Sequence, residues 1–316
     1  MRTKRKFIFF EQSFRKPVAT ARGDMSGITS LILREVFENG TIGYGEAASI
    51  PGFSEFSIDE GLLEAEDWIH GRCKDVQKYR ILAPALASLA SSVWETAPAV
   101  RLPKSAHLYH PEQNITSSTV KRKIGLRPPK QEIDQVLDWL GRLPRQTKVR
   151  LDANESFSRE LLLKWVDALE GNQKIQFIEQ PTGSDDDDWL IDFSNQSSVP
   201  IALDESLFRI YNSSLITSLP RSLFLVIKPV LFPNWVKLFS DLEDRMNQVV
   251  FSTAFESPFG YESIIRLAAD STQVSGLDRS CFCGNKNEFP QHHQPLLSSP
   301  SVPSDKLDRL WQTLHQ

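Results

Sequence analysis

The chain has 316 residues, a length that suits two domains or one large barrel. Hydrophobic residues make up 40% of it, enough to build a full core, so a chain that is disordered as a whole is excluded. With 36 Lys and Arg against 40 Asp and Glu, the formal net charge is -4. No basic field is available to hold a polyanion, and we expect no nucleic-acid partner.

The first residues give no sign of secretion or of a membrane anchor. A basic stretch precedes an apolar run of only four residues, at 7–10, which is too short for a signal peptide. No window approaches the roughly 18 apolar residues of a membrane-spanning helix. We therefore expect a cytoplasmic protein that does not cross a membrane.

Residues 1–95 have the pattern of a small α+β unit. Three strands of an antiparallel sheet are predicted, at 6–14, 28–36 and 41–47. Asn39 and Gly40 suit the tight turn between the last two, because both tolerate a positive φ. The polar segment 15–24 is expected to be a mobile loop. Helical spacing of apolar residues then predicts helices within 58–68 and 81–94.

From about residue 119 onward, short apolar runs alternate with segments of helical period. The predicted strands are 119–124, 148–152, 174–179, 199–204, 223–228 and 248–252. The predicted helices are 132–140, 160–169, 189–193, 215–219, 235–246 and 261–269. Such alternation indicates βα units around a parallel sheet. A barrel is preferred to a doubly wound open sheet, because no Gly-x-Gly-x-x-Gly turn follows any strand.

Three acidic residues occupy equivalent positions in successive βα units. Asp152, Glu179 and Asp204 each end a predicted strand, at intervals that fit one βα unit. Neighbouring strands lie about 4.8 Å apart, so these carboxylates should converge and repel one another. Oxygen ligands without His or Cys suit Mg²⁺. The alternative is that they are ordinary strand-end carboxylates that cap helices or pair with arginine.

Lysines flank the three acids in the sequence. Lys121 and Lys123 share one face of a strand, and Lys228 ends the strand after Asp204. A metal ion and neighbouring ammonium groups would depress the pKa of such a lysine toward that of a general base. The predicted chemistry is removal of a proton from the carbon next to a carboxylate, with Mg²⁺ stabilising the enediolate. The alternative is that residues 121–123 form an ordinary basic edge strand without a catalytic role.

These residues resemble those of the enolase superfamily. The matching motifs are Lys121-x-Lys123, Asp152-Ala153-Asn154, Glu179-Gln180-Pro181, Asp204-Glu205-Ser206 and Lys228-Pro229. Within the superfamily, residues 227–229, 252–257, 45–47 and 51–53 look like those of the o-succinylbenzoate synthase family. The resemblance implies a (β/α)7β modified TIM barrel at 96–284 and an α+β capping domain at 1–95, completed by 285–316.

The resemblance also implies an activity and a role for each residue. The reaction is the Mg²⁺-dependent dehydration of 2-succinyl-6-hydroxy-2,4-cyclohexadiene-1-carboxylate to o-succinylbenzoate, a step toward menaquinone or phylloquinone. Lys123 would be the base and then the acid, Lys228 would stabilise the enediolate, and Lys121 would support Lys123 or the substrate carboxylate. Asp152, Glu179 and Asp204 would hold the metal. The residues expected at the substrate are Arg22, Ser252, Thr253, Glu256 and Ser257. Glu256 and Ser257 would line the pocket through backbone groups, with helix capping as the alternative. Arg22 would belong to a lid over the substrate, with an ordinary loop as the alternative.

Two other functions remain open. One is an N-acylamino acid racemase or dipeptide epimerase of the same superfamily, and the other is a barrel that binds a ligand without catalysis.

The acidic run 185–188 could bind a cation, but acidic residues are expected at the start of a helix. The oligomeric state is left open.

Overall fold

Two sheets organise the part of the chain that the structure describes. The computed structural model describes residues 4–20, 23–51, 53–72, 78–95, 105–109, 118–211, 214–277 and 304–314. One sheet has three antiparallel strands and the other has seven parallel strands. The first sheet belongs to the N-terminal unit, and the second carries the residues of the candidate site.

The N-terminal sheet consists of β1 (Lys4–Thr20), β2 (Gly23–Val36) and β3 (Ile42–Ser49), in that order. The predicted loop at 15–24 was wrong, since β1 and β2 continue through most of it and pair up to Thr20 and Gly23. A register shift between Ser13 and Val18 takes up Pro17 and its charged neighbours. This is tolerated because β1 is an edge strand, where a residue without an N–H group and exposed charges are acceptable.

Two helices pack against one face of this sheet. α1 (Ile58–His70) begins with a capping box between Ser57 and Glu60. α2 (Ala83–Ala90) lies so close to β3 that a Cβ on Gly45 would be 2.1 Å from the carbonyl oxygen of Ala85. The glycine of the 45–47 motif is therefore required by close packing.

A C-terminal helix covers the same N-terminal unit. α9 (Ser304–Leu314) buries Leu307 and Trp311 in a cluster with Tyr44 of β3, and Asp308 pairs with Arg34 of β2 at 2.6 Å. These contacts place α9 against the N-terminal sheet, and the completion of the capping domain by 285–316 stays a prediction. The boundaries at 95, 96, 284 and 285 stay predictions.

The parallel sheet is a closed barrel, as the sequence predicted. Its strands are β4 (His107–Leu108), β5 (Thr119–Lys123), β6 (Lys148–Asp152), β7 (Ile175–Glu179), β8 (Ile201–Leu203), β9 (Phe224–Ile227) and β10 (Val249–Phe251), each paired with the next. Parallel bridges from Ser252 to Gly276 and from Ser275 to Ser105 join β10 to the start of β4 and close the ring. The fold is thus the modified TIM barrel with a separate antiparallel sheet.

Helices follow the strands from β5 onward. They are α3 (Pro129–Arg142), α4 (Arg159–Leu169), α5 (Asp187–Ser194), α6 (Glu205–Ile210), α7 (Trp235–Asp241) and α8 (Pro258–Ala268). The pattern missed α6, which is only six residues long, and Ser214–Ser218 is a 3-10 helix. The predicted helix at 235–246 is interrupted after Asp241 and continues as a 3-10 turn. Of the described helices, none is long and apolar enough to cross a bilayer.

A cluster of apolar side chains lies inside the barrel below its C-terminal end. Phe177, Ala202, Val226 and Val250 form a buried cluster, one residue from each of four adjacent strands. Because successive residues of a strand point to opposite faces, the side chains two positions later also point inward, one layer higher. That next layer contains Glu179, Asp204, Lys228 and Ser252.

A carboxylate of the N-terminal sheet fastens that sheet to the barrel. Glu46 of β3 is 2% exposed and accepts hydrogen bonds from Ser257 N at 2.9 Å, Ser257 Oγ at 2.5 Å and Gly260 N at 3.1 Å, all at the start of α8. Ser30 Oγ donates to it at 2.6 Å. An acid at a helix N-terminus also interacts favourably with the helix dipole. Glu46 therefore caps a barrel helix from another sheet.

Replacing Glu46 with alanine is expected to lower the free energy of unfolding by about 3 kcal/mol, because buried donors of α8 lose their acceptor. Urea denaturation measures the change. Glu66, which is half exposed on α1 and pairs with His70, supplies the control. Glu66→Ala should change stability by about 0.5 kcal/mol or less, and equal losses for the two variants would contradict the role of Glu46.

Candidate active site

The three predicted metal ligands lie at the C-terminal ends of adjacent barrel strands. Asp152 ends β6, Glu179 ends β7 and Asp204 follows β8. Asp152 pairs in register with both Glu179 and Lys123, which places these three residues at one level of the barrel. Asp152, Glu179 and Asp204 are 3%, 2% and 4% exposed. The sequence spacing therefore brought them to one buried layer.

Two lysines neutralise much of this negative charge. Lys121 Nζ lies 2.8 Å from Asp152 Oδ2 and 2.7 Å from Glu179 Oε1, so one ammonium group bridges two carboxylates. Lys228 Nζ lies 2.5 Å from Asp204 Oδ2 on the other side. Lys123 is on the same face of β5 as Lys121, but closer to the mouth of the barrel, and it is exposed. All three lysines are thus beside the acids; Lys121 and Lys228 are half-buried, and Lys123 is exposed.

Burial opposes the negative charge of all three acids, and for two of them the lysines compensate for it only in part. Burial raises the pKa of Glu179 to about 7, and Asp152 and Asp204 add to this effect while Lys121 opposes it. Burial and the adjacent Glu205 raise the pKa of Asp204 to about 6. Burial opposes the charge of Asp152 as well, but Lys121 lowers its pKa overall. Two of the three acids therefore hold their negative charge only at a cost.

The lysine pKa values run against the direction that the sequence suggested. Burial disfavours the charged form of both Lys121 and Lys228, but the facing carboxylates outweigh it and raise both pKa values above the ordinary value. The expected depression depends on a metal ion, and these side chains do not produce it themselves. Lys121 and Lys228 are accordingly cations that stabilise negative charge.

The donor set fits a hard cation. All three acids offer oxygen, and the ammonium of Lys121 already marks a place between two of them where positive charge is stabilised. Glu205, next to Asp204, adds a half-buried carboxylate whose buried Oε2 has no hydrogen-bond partner and whose pKa is raised by burial. Within the described ranges, however, no three His, Cys, Asp or Glu side chains are already grouped to enclose an ion. The assignment of the ligands stays a prediction.

The residues expected at the substrate are placed differently from one another. Ser252 is buried and Thr253 is half-buried after β10, at the rim of the barrel. Ser257 caps α8 and donates to Glu46, and Glu256 Oε1 accepts from Ala254 N at 2.6 Å. These contacts are those of helix capping and loop structure, as the alternative for these two residues expects. A substrate contact through their backbone groups stays a prediction. Arg22 lies outside the described residues.

Sequence reasoning missed four residues that surround the site. Arg150 is buried one layer below, with its guanidinium 5.1 Å from the ring centroid of Phe177, and burial lowers its pKa to about 10. Phe53, from the N-terminal unit, has its ring centroid 5.9 Å from Lys228 Nζ. Gln180 and Glu205 follow two of the predicted ligands directly. Phe53, Gln180 and Glu205 could have been found from the sequence, because each lies inside a motif that carries the family resemblance.

Comparison with known proteins finds relatives in both sequence and fold. Residues 112–215 match the family model described as Enolase C-terminal domain-like. An o-succinylbenzoate synthase of Thermosynechococcus vestitus is 27% identical over 279 residues, which cover 82% of this chain and 86% of that relative. The crystal structure of o-succinylbenzoate synthase from Thermosynechococcus elongatus BP-1, complexed with Mg in the active site, has a TM-score of 0.77 and 25% identity and covers 98% of this chain and 99% of that one.

A second solved structure shows the fold alone. The dipeptide epimerase from Cytophaga hutchinsonii, complexed with Mg and the dipeptide D-Ala-L-Val, has a TM-score of 0.68 at 16% identity and covers 90% of this chain and 89% of that one. The barrel with its antiparallel sheet is therefore shared by proteins that are named for different activities.

Proposed function

Because the chain belongs to the enolase superfamily, we propose that it dehydrates 2-succinyl-6-hydroxy-2,4-cyclohexadiene-1-carboxylate to o-succinylbenzoate, as a carbon–oxygen lyase of menaquinone or phylloquinone biosynthesis. The observation that carries the proposal is the arrangement of charge across β5 to β9. Lys121 and Lys228 hold the acids from two sides, and Lys123 is the exposed amine beside them. The substrate is a small carboxylate, and the proposed location is the cytoplasm.

Asp152, Glu179 and Asp204 are proposed to hold one Mg²⁺. When bound, Mg²⁺ supplies positive charge for a substrate carboxylate and for the negative charge that develops on it when the neighbouring carbon loses its proton. The support is geometric: three buried carboxylates end adjacent strands, and two lysines contact them. Burial, with the neighbouring acids, raises the pKa values of Glu179 and Asp204. A divalent cation would stabilise the charged forms of these acids.

Lys123 is proposed to move the proton. Its amine is exposed at the mouth of the barrel, where a substrate can reach it, and it is level with Asp152. It would take the proton from the carbon next to the carboxylate and then protonate the leaving hydroxide. Lys228 would face the substrate from across the site, where its ammonium, already paired with Asp204, stabilises negative charge. Lys121 would keep Asp152 and Glu179 in place.

The test is turnover of the cyclohexadiene substrate by the purified protein, followed by formation of the aromatic product. We expect product with Mg²⁺ and loss of activity with excess EDTA, restored by added Mg²⁺. Specific binding should also raise the melting temperature, because a ligand that binds only the folded state stabilises it. An absence of product in the presence of Mg²⁺ would contradict the proposal.

A racemase or dipeptide epimerase is the second candidate, favoured by the fold that the chain shares with the dipeptide epimerase. Lysines on opposite sides of a substrate suit removal of a proton from one face and its return to the other. Incubation with an N-acyl amino acid or a dipeptide in D₂O distinguishes the two functions, since rapid deuterium uptake without aromatic product would favour the isomerase. Mg²⁺ binding without either reaction would favour a binding module.

A further inference from the structure

Gln180 is a fully buried amide between two of the proposed metal ligands. It directly follows Glu179, and its side-chain oxygen accepts hydrogen bonds from the backbone N–H groups of Asp204 and Ser206, both at 3.0 Å. Its side-chain nitrogen donates to the carbonyl oxygen of Thr182 at 3.0 Å and to Ser206 Oγ at 2.5 Å. Both atoms of the amide are therefore used, and together they tie the end of β7 to the loop after β8.

The hydrogen bonds to Gln180 replace the helix cap that Asp204 would ordinarily provide. Asp204 stands at the N-cap position of α6, where an aspartate ordinarily accepts hydrogen bonds from the first N–H groups of its own helix. Here it makes no such side-chain cap, and Gln180 accepts from Ser206 N in its place. The carboxylate of Asp204 is thereby left to point at Lys228, at the level of the proposed metal.

The same amide is the inner end of a chain of hydrogen bonds. Ser206 Oγ donates to Asp187 Oδ1 at 2.5 Å, and Arg209 donates to Asp187 at 2.8 Å and to Glu155 at 2.6 Å. Glu155 N also donates to the backbone oxygen of Gln180 at 2.8 Å. The loops that follow β6, β7 and β8 are thus linked to one another just beyond the three acids.

Backbone conformation indicates that these loops are held in place. Gln180 and Glu155 have φ values of 38° and 63°, in the left-handed region that residues other than glycine adopt only at a cost. The hydrogen bonds around them supply the compensation. Replacement of the Gln180 side chain is therefore expected to change the position of Asp204 more than the stability of the barrel as a whole.

We propose that Gln180 is a positioning residue that sets Mg²⁺ affinity by fixing Asp204 against Glu179. The inference rests on the proposed metal site and deepens it. Groups that orient metal ligands commonly contribute about 10- to 100-fold in metal affinity. Gln180 acts through Asp204 and is not itself a ligand, since both of its side-chain polar atoms are already hydrogen-bonded to protein.

The test is Mg²⁺ binding to the purified full chain, measured by calorimetry without substrate, for the wild type and for Gln180→Met. Methionine keeps the length of the side chain and removes its hydrogen bonds. We expect the Kd for Mg²⁺ to rise about 10- to 100-fold. In the activity assay, the Mg²⁺ concentration for half-maximal rate should rise in parallel, while the rate at saturating Mg²⁺ falls much less.

Gln176→Met is the matched control, because Gln176 lies on the same strand at the other end and bonds Arg150 and Gln273. Its Kd should stay within about twofold of the wild type. If Gln180→Met does not fold, Ser206→Ala removes the hydroxyl that Gln180 contacts, and it should weaken Mg²⁺ binding about threefold or more. A folded Gln180→Met or Ser206→Ala protein with the wild-type Kd overturns the inference, whatever its melting temperature. A wild type that binds no Mg²⁺ overturns the proposed metal site itself.

Discussion

Lys123→Ala is expected to lower turnover of the cyclohexadiene substrate by about 10³-fold or more, because a positioned general base commonly contributes about 10²- to 10⁴-fold and this lysine serves as base and acid in turn. The fold should not change, since Lys123 is exposed at the mouth of the barrel and the acids keep their contacts with Lys121 and Lys228. Steady-state kinetics, with Mg²⁺ calorimetry on the same protein, measures both effects.

Two further variants separate the role of a base from that of a charge. Lys123→Arg keeps a cation but removes a usable base, because a guanidinium stays protonated, so it should be as inactive as the alanine variant. Lys164→Ala, at an exposed position of α4, should retain full activity. Near-normal turnover by Lys123→Ala would reject Lys123 as the base.

Asp204→Asn should raise the Kd for Mg²⁺ by about 100-fold and leave little activity at ordinary Mg²⁺ concentrations. The substitution removes one of three charged oxygen ligands, and ligand charge sets the affinity for hard cations. It also removes the negative charge that faces the half-buried ammonium of Lys228 at 2.5 Å, so the uncompensated charge of this lysine then opposes the cation. Calorimetric titration with Mg²⁺ gives the change in Kd.

Asp185→Asn is the appropriate control for that substitution. Asp185 is exposed in the acidic run before α5, which could be mistaken for a cation site in the sequence. It lies in a turn that leads into the helix, as the preferred interpretation of that run expects. The control should bind Mg²⁺ like the wild type, and an unchanged titration for Asp204→Asn would remove Asp204 from the proposed ligands.

The parts of the fold that repeat were predictable from sequence. Parallel strands end at the same rim of a barrel, so the regular spacing of Asp152, Glu179, Asp204 and Lys228 was enough to place them in one layer. Period-two alternation also put Lys121 and Lys123 on one face of β5. These inferences need only geometry that is common to every βα unit.

The parts that depend on contacts between distant segments could not be obtained in this way. No local pattern says that Lys121 bridges two carboxylates, that Gln180 takes over the capping of α6, or that Glu46 reaches α8 across 211 residues of chain. The pairing of residues 15–20 was missed for a related reason. Charged residues and Pro17 look like a loop unless it is known that the strand lies at an edge, where they are tolerated.

The contact between Glu46 and α8 limits how such a protein can be recombined. A Cβ at position 260 would lie 2.3 Å from Glu46 Oε2, so the acid and the glycine are a matched pair held in separate parts of the sequence. A chimera that joins this barrel to the N-terminal sheet of another family member therefore needs the acid on the sheet as well as the glycine on the barrel. Loss of the acid alone would leave buried donors of α8 without their acceptor, and a side chain at position 260 alone would clash with Glu46.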